Sequence, residues 1–482
     1  MKEYSAYING KWAKAKEKFP SINPADEKPI GVFQKCSRED VKDAIDAAED
    51  AFPKWSEIPA PKRGLILNEI AAELRKNKES LARLMTIEMG KVLLEARGDV
   101  QEAIDIFEYM AGEGRRLFGN TTKSELRDKF CMTVRRPVGV FGMISPWNFP
   151  IAIPAWKIAA ALICGNTFVF KPSSDTPLCA VKLFEILDKV KVPKGVANLV
   201  TGPADVVGDE IVRNKKTLGI SFTGSRDTGE WILKNAGIKK ICLELGGKNA
   251  IIIMDDANLN LALDGVTWGA FGTTGQRCTA ASRVIVHRNI KRKFEAELLK
   301  RIRKLKIGNG LQRNVNLGPL INKNAVEKSM RYVDIGLKEG GKLLCGGKRL
   351  KGKGFFFEPT IFTNVDIKAR IAREEIFGPV LSIIEAKNID DAIEIANSVE
   401  YGLSSSIYTG SMKNAFKAIE KIDAGLTYVN ASTIGSEVHL PFGGVKKSGS
   451  TREAGIEGIN EFSDVKAVYI DYSGKLQRAQ ID

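Results

Sequence analysis

Cys278 stands near the end of the run Phe271-Gly272-Thr273-Thr274-Gly275-Gln276-Arg277-Cys278-Thr279. Small residues around a cysteine give a loop whose thiol is reachable, and a reachable thiol is well suited to attack a carbon electrophile. A second run, Leu243-Glu244-Leu245-Gly246-Gly247-Lys248, sets a carboxylate among apolar residues and glycines. Burial there raises its pKa toward the range useful to a general base. A nucleophile and a base of these types point to covalent catalysis. The competing reading of Glu244 is a buried carboxylate paired with a lysine.

The elements that must hold these residues can be read from periodicity. A short strand-like segment, Tyr4 to Trp12, leads into the turn Asn23-Pro24-Ala25-Asp26. From Val41 to about Gly119 apolar residues recur at three and four, as in Ile66, Ile70 and Leu74, which predicts packed amphipathic helices. A strand pair is expected next, Met132 to Val134 and Val138 to Ile144, flanking Arg135-Arg136-Pro137. Apolar strands then alternate with helices: Thr167 to Phe170, Ala197 to Val200, Leu218 to Phe222 and Ile241 to Leu245. Such alternation predicts an α/β fold with a parallel sheet, the architecture that binds nucleotides at the carboxyl ends of its strands.

The usual dinucleotide fingerprint GxGxxG is absent. In its place Ile220-Ser221-Phe222-Thr223-Gly224-Ser225 runs an apolar strand into Gly-Ser and a helix whose first N–H groups can meet a pyrophosphate. The same residues also read as an ordinary strand-to-helix turn with a serine cap. Gly336 to Lys342 has the spacing of a phosphate-binding loop, but Leu343 replaces the hydroxyl that would hold magnesium.

Composition bounds the rest. A chain of 482 residues, 44% hydrophobic, is long enough for two or three domains. No apolar run is long enough to span a bilayer, and Met1-Lys2-Glu3-Tyr4 lacks the apolar core of a signal peptide. A cytoplasmic protein is expected, with no membrane partner. The seven cysteines are scattered without CxxC spacing, so neither a disulfide framework nor a metal site is expected. The net charge of +15 is spread among Asp and Glu rather than clustered, which argues for a solvated basic surface and against nucleic acid as a partner. Glutamine is scarce while lysine and glutamate dominate surface-like stretches, a balance found in thermophilic proteins.

Seven motifs in order carry a resemblance over nearly the whole chain: Pro146-Trp147-Asn148-Phe149-Pro150, Lys171-Pro172-Ser173, Phe222-Thr223-Gly224-Ser225, Glu244-Leu245-Gly246-Gly247-Lys248, Gly275-Gln276-Arg277-Cys278, Glu374-Glu375-Ile376-Phe377-Gly378-Pro379 and Pro441-Phe442-Gly443-Gly444. The chain resembles the NAD(P)-dependent aldehyde dehydrogenase superfamily. That resemblance implies an aldehyde dehydrogenase-like fold, with a Rossmann-variant cofactor domain at 1–119 and 142–246. It also implies an α/β catalytic domain at 247–440 and a small β oligomerisation arm at 120–141 and 465–482. It implies oxidation of an aldehyde to a carboxylate through a thiohemiacetal and a thioester on Cys278, with Asn148 holding the oxyanion and Glu244 activating water. Lys157 would tune the electrostatics, and Glu453 would belong to a proton path from Glu244. Because Glu244 is present, hydrolysis is expected rather than transfer to coenzyme A, and a non-catalytic scaffold with this fold is the contrasting reading.

The same resemblance assigns cofactor contacts to Ile144, Ser145, Pro146, Trp147, Lys171, Ser173, Ser174, Phe222, Thr223, Gly224, Ser225, Leu245, Gly246, Glu375 and Phe377. Many NAD-preferring members carry Glu at the position of Ser174. A small hydroxyl there, beside Lys171, favours NADP, with NAD as the alternative and Asp175 as a countervailing charge. Arg277 either attracts an anionic substrate group or turns outward to an ion pair. Trp156, before Lys157, weakens a succinic semialdehyde assignment. The tail from Val465, together with Ala431 to Leu440, is similar to the 2,5-dioxopentanoate (α-ketoglutarate semialdehyde) dehydrogenase branch of pentose metabolism; glyceraldehyde or broad aldehyde use stays open. A homotetramer, or a dimer, is expected.

Overall fold

The computed structural model describes residues 1–481; Asp482, the last residue of the expected arm, lies outside the described residues. The expected α/β architecture is present as two seven-stranded sheets, a three-stranded antiparallel sheet, a three-stranded sheet of Glu3–Tyr4, Pro29–Lys35 and Glu17–Ile22, and the pair Tyr401–Gly402 with Val445–Lys446. In the first sheet Val140–Ile144 is central, with Thr167–Lys171 and Ala197–Leu199 on one side and Thr217–Thr223 and Lys240–Glu244 on the other, all parallel. Thr167–Lys171 is buried along its whole length, and helix Ala152–Cys164 beneath it is buried at every residue, so both read as near-continuous apolar runs. The chain lays strands outward from Val140–Ile144 and then returns to that strand's other side. The strand ends at Ile144 and Thr223 therefore diverge, which opens a crevice.

The second sheet has six parallel strands in the order Thr360–Thr363, Val380–Ala386, Ala281–His287, Asn249–Ile253, Ser404–Tyr408 and Leu426–Val429, with Lys342–Cys345 antiparallel at one edge. The third sheet pairs Ser463–Asp471 with Lys129–Pro137 over nine residues, and Thr121–Lys123 closes its other side. The helical region resolves into Arg38–Glu57, Ala60–Lys76, Lys78–Met89 and Leu93–Glu113, the first started by a capping box between Ser37 and Asp40.

Two sequence expectations need correction. Residues 132–134 and 138–144 do not pair with each other. Arg135 to Pro137 continues the strand Lys129–Pro137 in the third sheet, whereas Val140–Ile144 belongs to the first, the break falling at Gly139 with φ +137°. Tyr4 to Trp12 is three short strands rather than one, because Asn9-Gly10 adopts left-handed backbone and turns Ala6–Ile8 back on Lys11–Ala13. The Gly336 to Lys342 run is the end of helix Lys323–Lys338 followed by the start of strand Lys342–Cys345, and no phosphate loop forms.

Candidate active site

The crevice is a cleft of about 800 Å³. Ile144, Ser145, Pro146, Lys171, Ser173, Ser174, Phe222, Thr223 and Gly224 all line it. Among the described residues the buried hydroxyls of Ser145 and Thr223 have no hydrogen-bond partner, so two donors stand unused in its wall. Ser225 caps helix Arg226–Asn235, accepting from Thr228 N–H, and borders the adjoining pocket. An elongated cleft at the switch point of a parallel sheet, with unspent hydroxyls, a buried lysine and a helix N-terminus, fits a dinucleotide.

At the far end of the cleft the charges are particular. Lys171 is buried, donates to the Pro172 carbonyl at 3.1 Å, and is held down to about 8 by burial. Ser174 is exposed and donates to the Gly202 carbonyl at 3.1 Å. Asp175 is tied to Asn322 at 3.1 Å, and burial pushes its carboxyl above the usual carboxylate range.

Pro146, Thr223 and Gly224 are shared with a second pocket of about 240 Å³. There Trp147, Asn148, Ser225, Leu245, Gly246, Glu375 and Phe377 surround Cys278. Residues 271–278 form a turn in which Thr273 and Thr274 have φ of 52° and 56°, and Asn249 fixes the Cys278 carbonyl at 2.7 Å. Asn148 donates to the Gln276 carbonyl at 3.1 Å, which leaves its other amide N–H unspent at the pocket that Cys278 also lines. Glu375 accepts from Gly247 N–H at 2.9 Å, and a Cβ on Gly246 would strike its carboxylate. Phe377 meets Trp147 edge-on at 5.4 Å. Desolvation, with Glu244 and Glu375 nearby, pushes the Cys278 thiol up to about 12, so the thiol is neutral at rest and needs a base.

Glu244 ends strand Lys240–Glu244 behind this pocket. It is buried, and among the described residues neither carboxylate oxygen has a hydrogen-bond partner. Burial lifts its pKa well above the usual carboxylate range, and the Glu453 charge adds to the shift while Lys157 opposes it. Lys157 is fully buried, donates to Ser221 Oγ at 3.0 Å and bonds Glu453. Lys157 thus pairs with Glu453, and among the described residues no lysine bonds Glu244.

Arg277 is neither free nor turned outward. Its guanidinium lies between the rings of Phe149 and Trp268, donates to Thr273 Oγ1 at 2.9 Å and sits 3.5 Å from the buried Glu95. It does not line the thiol pocket. Two basic lining residues escaped sequence reading. Lys328 projects from the middle of helix Lys323–Lys338, where nothing marks it. Arg213 lies at the cleft end on a five-residue helix. Among the described residues no His, Cys, Asp and Glu cluster could hold a metal, and no helix is long and apolar enough to cross a membrane.

Residues 12–468 match the sequence profile of the Aldehyde dehydrogenase family. The chain is 42% identical over 477 residues to an alpha-ketoglutaric semialdehyde dehydrogenase of Bacillus subtilis, covering 97% of this chain and 98% of that one. It is 40% identical to a 2,5-dioxopentanoate dehydrogenase of Saccharolobus solfataricus, covering 97% and 99%. The crystal structure of a Staphylococcus aureus betaine aldehyde dehydrogenase in complex with NAD+ superposes with a TM-score of 0.96 at 37% identity, covering 98% and 95%. Motifs, fold and sequence agree over nearly the whole length, and the chain belongs to the aldehyde dehydrogenase family.

Proposed function

We propose that this chain oxidises an aldehyde to its carboxylate by hydrolysis of a thioester on Cys278, with a nicotinamide dinucleotide in the cleft. The observation that carries the reading is the neutral thiol of Cys278 beside Asn148, with an unpartnered, strongly basic carboxylate, Glu244, behind it. Glu244 takes the thiol proton as sulfur bonds to the carbonyl carbon. The resulting oxyanion is held by the free amide N–H of Asn148 and the backbone N–H of Cys278. The bound dinucleotide supplies the acceptor for the hydride. Glu244 then takes a proton from water, the hydroxide attacks the thioester carbon, and the C–S bond breaks to return Cys278. Lys171, Ser173, Glu375 and Phe377 would orient the cofactor.

The favoured substrate is a short oxo-acid aldehyde such as 2,5-dioxopentanoate. The relatives at 40–42% identity that are named for this substrate support it. Broader aldehyde use, including glyceraldehyde and succinic semialdehyde, is the second reading. It is favoured by Arg277, whose charge is already engaged by Glu95. NADP is favoured by Ser174 and Lys171 in a cleft end where Asp175 is engaged by Asn322. Residues 1–119 with 142–246 would hold the cofactor and 247–440 the thiol. The strand Ser463–Asp471 and the strand Leu426–Val429 each end a sheet with an open edge, and an arm at 120–141 and 465–482 that covers such an edge on another copy would build a homodimer or homotetramer.

The test follows reduced nicotinamide absorbance with NADP or NAD and a panel of 2,5-dioxopentanoate, glyceraldehyde, succinic semialdehyde and simple alkanals. Turnover with dioxopentanoate and NADP is expected, falling at least about 1,000-fold in Cys278→Ala. Activity that survives that substitution, or none with any aldehyde, overturns the mechanism.

A further inference from the structure

Near its start, helix Leu93–Glu113 buries two carboxylates, Glu95 and Asp99, which stand one turn apart on the same face. Each grips a different loop. Glu95 accepts from Thr273 N–H at 2.8 Å and from Thr273 Oγ1 at 3.1 Å, within the turn that leads to Cys278. Thr273 and Thr274 are β-branched and left-handed, a backbone that persists only where contacts over-determine it. Asp99 accepts from Ala152 N–H at 2.7 Å, at the first residue of helix Ala152–Cys164 and a few residues past Asn148. Ile153 N–H bonds the Phe149 carbonyl, so the residue after Asn148 is tied into the same turn.

Two cations complete the grip. Lys91 lies 2.9 Å from Asp99, both side chains fully buried, and its ammonium is 3.7 Å from the centre of the Phe149 ring. Arg277, 3.5 Å from Glu95, lies 5.1 Å from the same ring centre. Phe149 and Arg277 are the immediate neighbours of Asn148 and Cys278. Two acids thus meet two bases, which lets the group sit in the interior without an unpaired charge.

We propose that Glu95 and Asp99 are positioning residues that set the distance from the Asn148 amide to the Cys278 thiol. This rests on the reading of Cys278 as the nucleophile and Asn148 as the donor to the oxyanion, and it adds residues to that reading. The oxyanion forms as sulfur bonds to the carbonyl carbon, so the amide must already stand where the oxygen will be. Asn148 joins the two loops at one point, its bond to the Gln276 carbonyl. That bond alone would leave them a common pivot. A single helical turn that holds Thr273 on one side and Ala152 on the other removes the pivot. Neither carboxylate lines the cofactor cleft or the thiol pocket, and neither belongs to the seven motifs.

The experiment uses the full chain with Lys91→Met as the common background, so that no buried ammonium is stranded when Asp99 is changed. Asp99→Ala removes the acceptor for Ala152 N–H, whereas Asp99→Asn keeps an amide oxygen able to accept it. Relative to the background, kcat is expected to fall roughly 30-fold in Asp99→Ala and to stay within about threefold in Asp99→Asn. Cofactor affinity and the rate at which iodoacetamide alkylates Cys278, a reaction that makes no oxyanion, should change less than about twofold. With Asn148→Ala added, the donor is gone and Asp99→Ala should cost less than about twofold more. Glu95→Ala against Glu95→Gln, both with Arg277→Met, should give the same pattern in kcat and the same disappearance with Asn148→Ala.

An unchanged kcat in Asp99→Ala overturns the proposal. So does a loss that persists in full when Asn148 is already alanine, or one matched by equal losses in alkylation and cofactor affinity, since either marks a merely structural contact. If Asp99→Ala does not fold, Asp99→Ser, whose hydroxyl is too short to reach Ala152 N–H, is read by the same criteria. An unaltered chain inactive toward every aldehyde sinks the reading of Cys278 and Asn148 itself, a result distinct from an active chain indifferent to Asp99.

Discussion

Glu244 must be buried to be basic, yet a buried carboxylate opposes folding. Its raised folded pKa means that stability is lost as pH climbs from the ordinary glutamate value toward that of the folded state. Glu244→Gln removes the conflict. It should raise Tm by about 2 °C at pH 8 while abolishing turnover before the hydride step, since no base is left for the Cys278 thiol; a thermal scan and the loss of any stopped-flow burst of reduced nicotinamide check both. Lys171 has the opposite linkage to its ligand. Held down to about 8, it is charged below that pH and neutral above it. NADP affinity should therefore weaken through pH 8, approaching tenfold per unit, and this dependence should vanish in Lys171→Met; fluorescence titration at several pH values decides it. These residues were legible in the sequence because each lies in a short motif with small or apolar neighbours. Lys328 was not, since a lysine within a helix carries no mark of what it faces.

Among the elements, the loop after Pro441 does more than follow the catalytic sheet. Leu245 N–H bonds the Ser448 carbonyl at 2.9 Å, and Gly443, with φ +153°, passes so close that a Cβ would lie 2.5 Å from Glu244 Oε1. Gly443→Ala should displace the carboxylate and cut kcat roughly 100-fold with little change in cofactor affinity, which steady-state kinetics and cofactor titration would separate. Parallel strands were easy to read from sequence because burial on both faces leaves unbroken apolar runs such as Phe168-Val169-Phe170. The strand Lys129–Pro137 was misread because its partner, Ser463–Asp471, lies more than 300 residues away and its half-exposed side chains show no clean alternation. The contact of Glu95 with Thr273 is hidden for the same reason, being made across 178 residues.

At the scale of the whole molecule, the strand Ser463–Asp471 carries an unpaired backbone edge and exposes Val465, Tyr469 and Ile470. An edge that is long and apolar needs a cover. Val465→Asp with Tyr469→Asp should shift the protein toward monomer in sedimentation velocity and lower its stability, while the thiol pocket keeps its residues; unchanged sedimentation would remove the arm from assembly. Sequence alone pointed to such an arm only through resemblance, because nothing in a strand's composition says whose edge it meets.

The cleft and the thiol pocket meet through Pro146, Thr223 and Gly224, so the cysteine is approached from one side by way of the cleft. A dinucleotide lying there blocks that doorway. A molecule that spans the shared residues would therefore exclude the dinucleotide and shut the thiol off from the cleft at once.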